Sequence, residues 1–181
     1  MADLSSARQS PLLDLPGGIR LLPPVTRWTL RGRAPVMSAA SGPLGLTISD
    51  TACRSAANSE RAALWMGPDE QLILASAESS DGLGARLRAA LTGLPHSLVD
   101  VSHRQLALEV SGPTAQTVLN AGCPLDLHIS AFPIGMCTRT VLGKADIVLW
   151  RTGSDSFHVE VWRSFADYVA RFLTEAAREL A

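Results

Sequence analysis

Alternating apolar positions predict several β-strands along this chain. Two runs show the period of two that is typical of half-buried strands: Leu106, Leu108 and Val110, and further on Phe157, Val159 and Val161. In the second run the positions in between hold His158, Glu160 and Trp162, so this strand has two chemically different faces. A Thr-Gly-Ser-Asp turn at 152–155 follows an apolar run over 145–151, which predicts a β-hairpin.

A short helix is predicted directly after the first of these strands. Pro113 suits the first turn of a helix. The residues Ala115, Val118 and Leu119 follow at helical spacing. Gly122 stands where such a helix is expected to end.

The last helix is predicted to start at Ser164, because serine is a good N-cap and Asp167 stands three residues on, in a capping-box position. Its apolar stripe is wide enough to reach a core and to leave an edge for a partner. The stripe consists of Phe165, Tyr168, Val169, Phe172, Leu173, Ala176 and Leu180.

Three segments interrupt these patterns. Residues 47–60 and 77–82 are polar and small, and we expect loops there, the first either ordered or disordered. Residues 1–24 contain Pro11, Pro16, Pro23 and Pro24, which prevents a continuous helix or a central strand. Because this segment is also rich in leucine, we expect an extended arm that packs either on its own domain or across another subunit.

The order of elements occurs twice. A strand beginning near Trp28 resembles the strand at Ala107, and the hairpin over 62–74 resembles the hairpin over 145–161. Each hairpin precedes an amphipathic helix. Two copies indicate a duplicated unit, so the predicted fold class is α+β. It comprises a single domain over 25–181, made of two ferredoxin-like β-α-β-β-α halves at about 25–95 and 98–181.

Composition removes several function classes. The chain has 181 residues, 16 basic and 17 acidic side chains, a net charge of −1 and 46% hydrophobic residues. This balance excludes intrinsic disorder and nucleic-acid binding through bulk positive charge. The sequence shows neither a signal peptide nor an apolar window of about 20 residues. We therefore expect no nucleic-acid partner, no membrane span and a cytoplasmic protein with reduced thiols.

The cysteines, histidines and glycines of this chain do not form an established metal-binding, catalytic or phosphate-binding motif. Cys123, His128 and Cys137, with His103 upstream, lack metal-ligand spacing, so no metal site is expected. Cys137 precedes Thr138-Arg139, where an arginine could activate the thiol, although a buried structural cysteine is favoured. The Gly-x-Gly segment within 81–86 lacks the third glycine and the lysine of a phosphate-binding loop.

A turn at 100–104, Asp-Val-Ser-His-Arg, separates two predicted strands. Asp and Ser side chains commonly bind backbone amides in such turns, which favours a structural role for Asp100 and Ser102. The adjoining His103 and Arg104 are placed to contact a carboxylate or a partner chain.

Five motifs in fixed order carry a resemblance to a known family. They are ALWMGPDEQLIL at 63–74, VDVSHRQ at 99–105, GCPLDLH at 122–128, CTRTVLGKADIVLWRTG at 137–153 and VEVWRSFADYV at 159–169. With them, the chain over about 60–175 resembles the gamma subunit family of heterotetrameric sarcosine oxidase. The stretch 98–128 is also similar to the aminomethyltransferase (glycine-cleavage T-protein) superfamily, and SPLLDL at 10–15 matches the arm of the gamma family.

This resemblance implies a fold similar to the folate-binding core of the aminomethyltransferases. It implies a small non-catalytic subunit, without a cofactor of its own, that accompanies large alpha and beta subunits and a small delta subunit. In that family the complex oxidises sarcosine to glycine, passes the one-carbon unit to tetrahydrofolate and reduces oxygen to hydrogen peroxide. FAD, FMN, NAD and tetrahydrofolate are implied for the partner subunits, and no catalytic residue is implied in this chain.

Two departures from the aminomethyltransferase pattern bear on folate chemistry. Where that superfamily has paired glycines and paired aspartates, this chain has Gly143-Lys-Ala-Asp146, and it has Trp162-Arg163-Ser164 in place of an Asn-Ala turn. The alternative function is a stand-alone folate or pterin-binding module. Its candidate residues are His103, Arg104, Asp146 and Arg163. A third possibility is a transferase with Asp146 as its acid–base group.

Overall fold

The computed structural model describes Leu15, residues 18–76 and residues 80–180. Ten strands and four α-helices are present in this part of the chain. The strands are β1 (Ile19–Leu21), β2 (Thr26–Arg31), β3 (Ser55–Ala57), β4 (Arg61–Gly67), β5 (Glu70–Ala75), β6 (Ser97–Asp100), β7 (Gln105–Ser111), β8 (Cys137–Leu142), β9 (Ala145–Gly153) and β10 (Ser156–Trp162). The helices are α1 (Ala34–Leu44), α2 (Leu83–Ala90), α3 (Ala115–Asn120) and α4 (Ala166–Arg178).

The strands form two five-stranded antiparallel sheets of matching order. The first sheet runs β3-β4-β5-β2-β6, and the second, read from the equivalent edge, runs β8-β9-β10-β7-β1. All strand pairs are antiparallel. Each sheet is built around a hairpin, β4-β5 or β9-β10. The first strand of the hairpin pairs with β3 or β8, and the second strand pairs with β2 or β7. The predicted α+β class and the duplicated unit are therefore confirmed.

The two halves exchange one edge strand each. β1 precedes β2 in the chain, but it pairs with β7 of the second sheet, with Arg20 opposite Glu109. β6 precedes β7, but it pairs with β2 of the first sheet, with Leu30 opposite Leu98. The described end of the predicted arm thus packs on its own chain, whereas residues 1–14 and 16–17 lie outside the described residues.

Three apolar clusters arrange the molecule as helix, sheet, sheet, helix. One cluster joins the outer face of the first sheet to α1 and α2, and another joins the outer face of the second sheet to α3 and α4. The third lies between the sheets, because alternate residues of each strand point inward. Its buried members are Ala62, Leu64, Met66, Leu72, Leu74, Cys137 and Val148.

The last helix differs from its sequence prediction at the N-terminus. Arg163–Phe165 form a 3₁₀ turn, and α4 begins at Ala166 with Phe165 as its cap residue and no side-chain cap hydrogen bond. The predicted N-cap at Ser164 was therefore wrong. The predicted stripe divides in two: Val169 and Leu173 are buried, whereas Phe165, Tyr168 and Leu180 are exposed. The buried face of α4 is completed by Ala166, Ala170 and Ala177, which the predicted stripe did not include.

Two further boundaries are corrected. The helix α3 begins at Ala115, two residues after Pro113, and Gly122 follows its end without a positive φ. Gly122 is required by packing instead, since a Cβ there would lie 2.6 Å from Phe172. The predicted loop at 47–60 contains strand β3, and residues 77–79 of the second predicted loop are outside the described part.

Strand β3, within the 47–60 segment, pairs with β4 of its own half, and the second half of the chain adds hydrogen bonds beside it. The Ser55 amide donates to Gly135 O at 2.8 Å, and the Cys137 amide donates to Cys53 O at 2.9 Å. The three residues of β3, Ser-Ala-Ala, show no alternation of apolar and polar side chains, which explains why this segment was predicted as a loop although it forms a hairpin with β4.

Candidate functional site

The surface between the two sheets is apolar at one side and polar at the other. Hydrophobic side chains of β4 and β5 meet those of β8 and β9. The inward positions of β2, β7 and β10 carry Arg27, Gln105 and Glu160, all of which are buried. The sequence pattern of β10 already placed Glu160 opposite the core face, and the structure shows that this second face is also covered, by the first sheet.

A buried ion pair connects the two sheets. Arg27 Nε donates to Glu160 Oε2 at 2.7 Å, and Arg27 Nη2 donates to Glu160 Oε1 at 3.0 Å. Arg27 Nη1 also donates to Val25 O at 3.0 Å, and His158 Nε2 donates to Glu160 Oε1 at 2.8 Å. The Arg27 and Glu160 side chains are 2% and 0% exposed. Bidentate geometry of this kind compensates part of the cost of burying two charges.

The ionisation of Glu160 is governed by opposing effects. Burial raises the pKa of this carboxyl group, but hydrogen bonds and charge from His158 and Arg27 outweigh burial, and the pKa lies below the ordinary glutamate value. Glu160 is therefore a carboxylate at neutral pH. Because Arg27 and His158 both donate to it, the Glu160 carboxylate serves to join the sheets.

A second acidic side chain links the sheets at the other end of the polar surface. Glu70 on β5 accepts hydrogen bonds from Arg31 on β2 and from Arg139 on β8. Arg139 Nη1 also donates to Met66 O at 3.2 Å. Burial raises the pKa of Glu70, yet the two arginines outweigh burial and hold the pKa below its usual value.

These two links were missed at the level of sequence. In the first link the charged residues stand beside core residues in the sequence: Arg27 precedes Trp28, and Glu160 stands between Val159 and Val161. A charged residue on the strand face that points away from the helices is as typical of a solvent-exposed face as of a buried ion pair. The sequence shows an arginine and a glutamate on strands of different halves, but it does not show that these two residues pair with each other.

A cavity of about 380 Å³ opens between the polar parts of the two sheets. Among the predicted candidates, Arg104 and Asp146 line it, together with Gln105 and Trp162. The Arg104 guanidinium lies over the Trp162 ring at 5.9 Å from its centroid. The strand register explains the grouping: Trp162 pairs with Gln105, and Val161 pairs with Ile147, the neighbour of Asp146.

The other two candidates line an adjoining cavity of about 550 Å³ beneath the segment 21–27. His103 and Arg163 contribute to this cavity, and Gln105 borders both. The Arg163 amide donates to Arg104 O at 2.9 Å. The four candidates therefore lie in one region, where the turn before β7 meets the end of β10, but in two cavities.

The turn before β7 is organised by its own side chains. Asp100 Oδ1 accepts from the Ser102 amide at 2.9 Å and from Ser102 Oγ at 2.6 Å. These hydrogen bonds hold the pKa of Asp100 below its usual value. Ser102 Oγ accepts in turn from the Arg27 amide at 2.9 Å. Asp100 and Ser102 thus have structural roles, while His103 and Arg104 are exposed.

The three cysteines are free thiols, and two of them pack in the protein interior. Cys123 and Cys137 are buried, and Cys53 is half-buried. Burial raises the pKa of Cys137 to about 12, so its thiol is protonated at neutral pH. Within the described ranges, no three His, Cys, Asp or Glu side chains are grouped as metal ligands would be. In the same ranges, every helix is too short or too polar to cross a bilayer.

The fold places this chain in a structural class. Paired five-stranded sheets with outer helices are similar to the solved structure of the glycine cleavage system aminomethyltransferase T from Bartonella henselae. The TM-score is 0.65 at 15% identity, and the match covers 89% of this chain and 48% of the other. The expected likeness to an aminomethyltransferase fold is therefore confirmed at the level of the fold.

Sequence and structure then agree on the family. Residues 32–179 match the model of the "Sarcosine oxidase, gamma subunit family", and this chain belongs to that family. "Sarcosine oxidase subunit gamma" of Arthrobacter sp is 41% identical over 120 residues, and that of Corynebacterium sp. (strain P-1) is 40% identical. These alignments cover 66% of this chain and 58% of each relative, so they span little more than half of the relatives' length.

A solved structure of a complex extends this agreement to almost the whole chain. A chain in the heterotetrameric sarcosine oxidase from Corynebacterium sp. U-96, in complex with pyrrole 2-carboxylate, matches with a TM-score of 0.85 and 28% identity. The match covers 97% of this chain and 92% of that chain. The resemblance expected from the five sequence motifs is confirmed.

Proposed function

We propose that this chain is the non-catalytic gamma subunit of a heterotetrameric sarcosine oxidase. The observation that carries the proposal is the match to a chain of such a complex over 97% of this chain, with a TM-score of 0.85. Membership of the gamma subunit family supports it. The proposed partners are large alpha and beta subunits and a small delta subunit, in the cytoplasm.

The proposed complex demethylates sarcosine oxidatively. Sarcosine, oxygen and tetrahydrofolate are converted to glycine, hydrogen peroxide and methylenetetrahydrofolate. FAD, FMN, NAD and tetrahydrofolate are assigned to the partner subunits. The placement of acidic groups here supports a structural role for this chain, because Glu70 and Glu160 are held between the sheets by arginines.

An exposed surface supports association with another subunit of the same complex. Trp162, Phe165 and Tyr168 are 49%, 42% and 37% exposed. They follow one another along the end of β10 and the start of α4, and Tyr168 Oη accepts from the Lys144 amide at 3.1 Å. We name these three residues the aromatic strip. Tryptophan and tyrosine are enriched among residues that dominate binding energy at interfaces.

Co-purification tests this proposal. The tagged full chain is expressed beside the alpha, beta and delta subunits, and the mass and visible spectrum of the eluted species are recorded. We expect a large yellow complex. A colourless particle of monomer mass would contradict the proposal, and binding of tetrahydrofolate by that particle would instead support the pterin-binding alternative.

Variants of the aromatic strip make the test specific. Trp162→Ser and Phe165→Ser are expected to reduce recovery of the complex, because each removes an exposed aromatic group. The matched control is Ile134→Ser, which alters a hydrophobic residue that is 55% exposed and lies outside the strip. Equal recovery of all three variants would exclude the strip as the contact surface.

A further inference from the structure

The cavity between the sheets contains two opposite charges that have no ionic partner in the described part of the chain. The Arg104 guanidinium lies over the Trp162 ring and forms no ion pair there. The Asp146 carboxylate is exposed at the cavity and accepts no hydrogen bond from the described residues. In contrast, Arg139, which also lines the cavity, is ion-paired with Glu70, a carboxylate that Arg31 shares. Arg104 and Asp146 are therefore the cation and the anion of the cavity that have no ion-pair partner among the described residues.

A buried acceptor lies on the same wall. Gln105 is 4% exposed, and its Oε1 meets no hydrogen-bond donor among the residues that the structure describes. A buried polar atom left without a partner is unfavourable, so an N–H or O–H donor is expected beside it. Gln105 follows Arg104 in the chain and pairs with Trp162 across the sheet. The acceptor thus belongs to the same group of residues.

The contact with Trp162 leaves Arg104 able to bind an anion. It is an attraction between the guanidinium charge and the face of the ring, at 5.9 Å from the ring centroid, and Arg104 has no ion-pair partner among the described residues. The planar guanidinium offers paired N–H donors that match the two oxygens of a carboxylate. The tryptophan ring also limits where the guanidinium can lie, which reduces the ordering cost of binding.

We propose that this cavity binds a small zwitterion, of the α-amino acid class. Its carboxylate binds the Arg104 guanidinium, and its ammonium group donates to Asp146 and, once the buried Gln105 side chain rotates toward the ligand, to Gln105 Oε1. A volume of about 380 Å³ falls within the usual range of small-molecule sites. A ligand with a single charge would leave one of the two opposite groups unmatched. The cavity shares Trp162 with the aromatic strip, so the variants that test the ligand site are at Arg104 and Asp146, which lie outside the strip.

Titration of the purified full chain with glycine and with L-alanine tests the proposal. Acetate and methylammonium, each carrying one of the two charges, are titrated under the same conditions. We expect saturable binding of both amino acids, and at least about tenfold weaker binding of acetate and methylammonium, because each loses one charge-assisted interaction. Equal binding of all four compounds, or no saturation up to about 20 mM amino acid, would overturn the proposal.

Two variants locate the site. Arg104→Gln and Asp146→Asn are expected to weaken amino-acid binding about tenfold or more, since each removes one charged hydrogen-bond partner. Both side chains are exposed, so the melting temperature of the unliganded protein should stay unchanged. The matched controls are Arg33→Gln and Asp50→Asn, exposed positions outside the cavity. Unaltered binding by the two cavity variants would refute the assignment.

The same test applies if the chain is recovered only in a complex. Complexes that carry the wild-type chain are then compared with complexes that carry the Arg104→Gln chain. The expected difference is the loss of one amino-acid site per copy of this chain. An identical number of sites would overturn the proposal, while leaving the association with partner subunits intact.

Discussion

Arg27 on β2 and Glu160 on β10 form a bidentate ion pair that joins the two sheets, with side chains only 2% and 0% exposed. The first residue belongs to the first half of the chain and the second residue to the other half. His158 completes the set of donors around Glu160. The pair therefore couples the halves through a contact that neither half possesses alone.

Removing one member of this pair should destabilise the protein strongly. Arg27→Met leaves Glu160 buried without its main cation, and we expect a loss of about 3–5 kcal/mol in the free energy of unfolding. The measurement is urea-induced unfolding. The double variant Arg27→Met/Glu160→Leu should be more stable than Arg27→Met, because it leaves no uncompensated buried carboxylate.

The matched control is the surface pair between Arg20 and Glu109, whose side chains are 65% and 27% exposed. Arg20→Met should cost about 0–1 kcal/mol, since solvent screens that pair. Similar losses for Arg27→Met and Arg20→Met would contradict the structural importance of the buried pair.

Stability should fall in acid because of the two carboxylates between the sheets. The pKa values of Glu70 and Glu160 lie below the ordinary glutamate value of 4.5 in the folded protein. The stabilisation they provide is therefore present above pH 4.5 and is lost as the pH falls through the lowered folded-state values. Unfolding measured from pH 7 to pH 3 checks this.

The Glu160→Gln variant isolates the contribution of one carboxylate. It cannot titrate at this position, so its stability should depend less steeply on pH below 4.5. The groups that face this position are Arg27 and His158, and both remain in the variant. A slope as steep as that of the wild type would show that Glu160 is not responsible.

Gly143 should not tolerate a side chain. Its φ is +60°, and a Cβ would lie 2.3 Å from Tyr168 Oη. Gly143→Ala should therefore lower the melting temperature by more than left-handed strain alone, which costs about 1–2 kcal/mol. Gly93→Ala is the matched control, because Gly93 has φ +80° and open space around the added Cβ. Equal shifts for the two variants would exclude a steric contribution.

The cysteines should differ sharply in reactivity. Cys137 is buried and burial raises its pKa to about 12, while Cys53 is half-buried. Alkylation with iodoacetamide at pH 8, followed by peptide mass mapping, should label Cys53 first, because the thiolate is the reactive form. In denaturant the rates for Cys53 and Cys137 should become similar. Rapid labelling of Cys137 in the folded protein would contradict its placement.

Local patterns predicted much of the architecture. The alternation in β7 and β10 identified which residues face the helices, and the repeated order of elements identified the duplicated α+β unit. These features depend on neighbours within about ten residues, so a single sequence displays them. The start of α4 was mispredicted because Ser164 has the right chemistry for a cap, yet Arg163–Phe165 form a 3₁₀ turn ahead of the helix.

The candidate site was predicted less completely. Arg104 was singled out from the turn at 100–104 and Asp146 from the resemblance to the aminomethyltransferases, and the structure places both on one cavity. Gln105 was not singled out, although it adjoins Arg104 in the chain. A glutamine in a strand gives no sequence signal of a binding site. Gln105 stands out only in the structure, where its buried Oε1 has no hydrogen-bond donor among the described residues.

The sequence by itself determined the element pattern, the duplication and the family, since periodicity and ordered motifs are written along the chain. Only the tertiary structure decided that β1 and β6 exchange sheets and that Arg27 meets Glu160. A period of two shows which face of a strand a residue occupies. Which strand or sheet covers that face is chosen by contacts between residues far apart in sequence, here 133 positions for the buried pair.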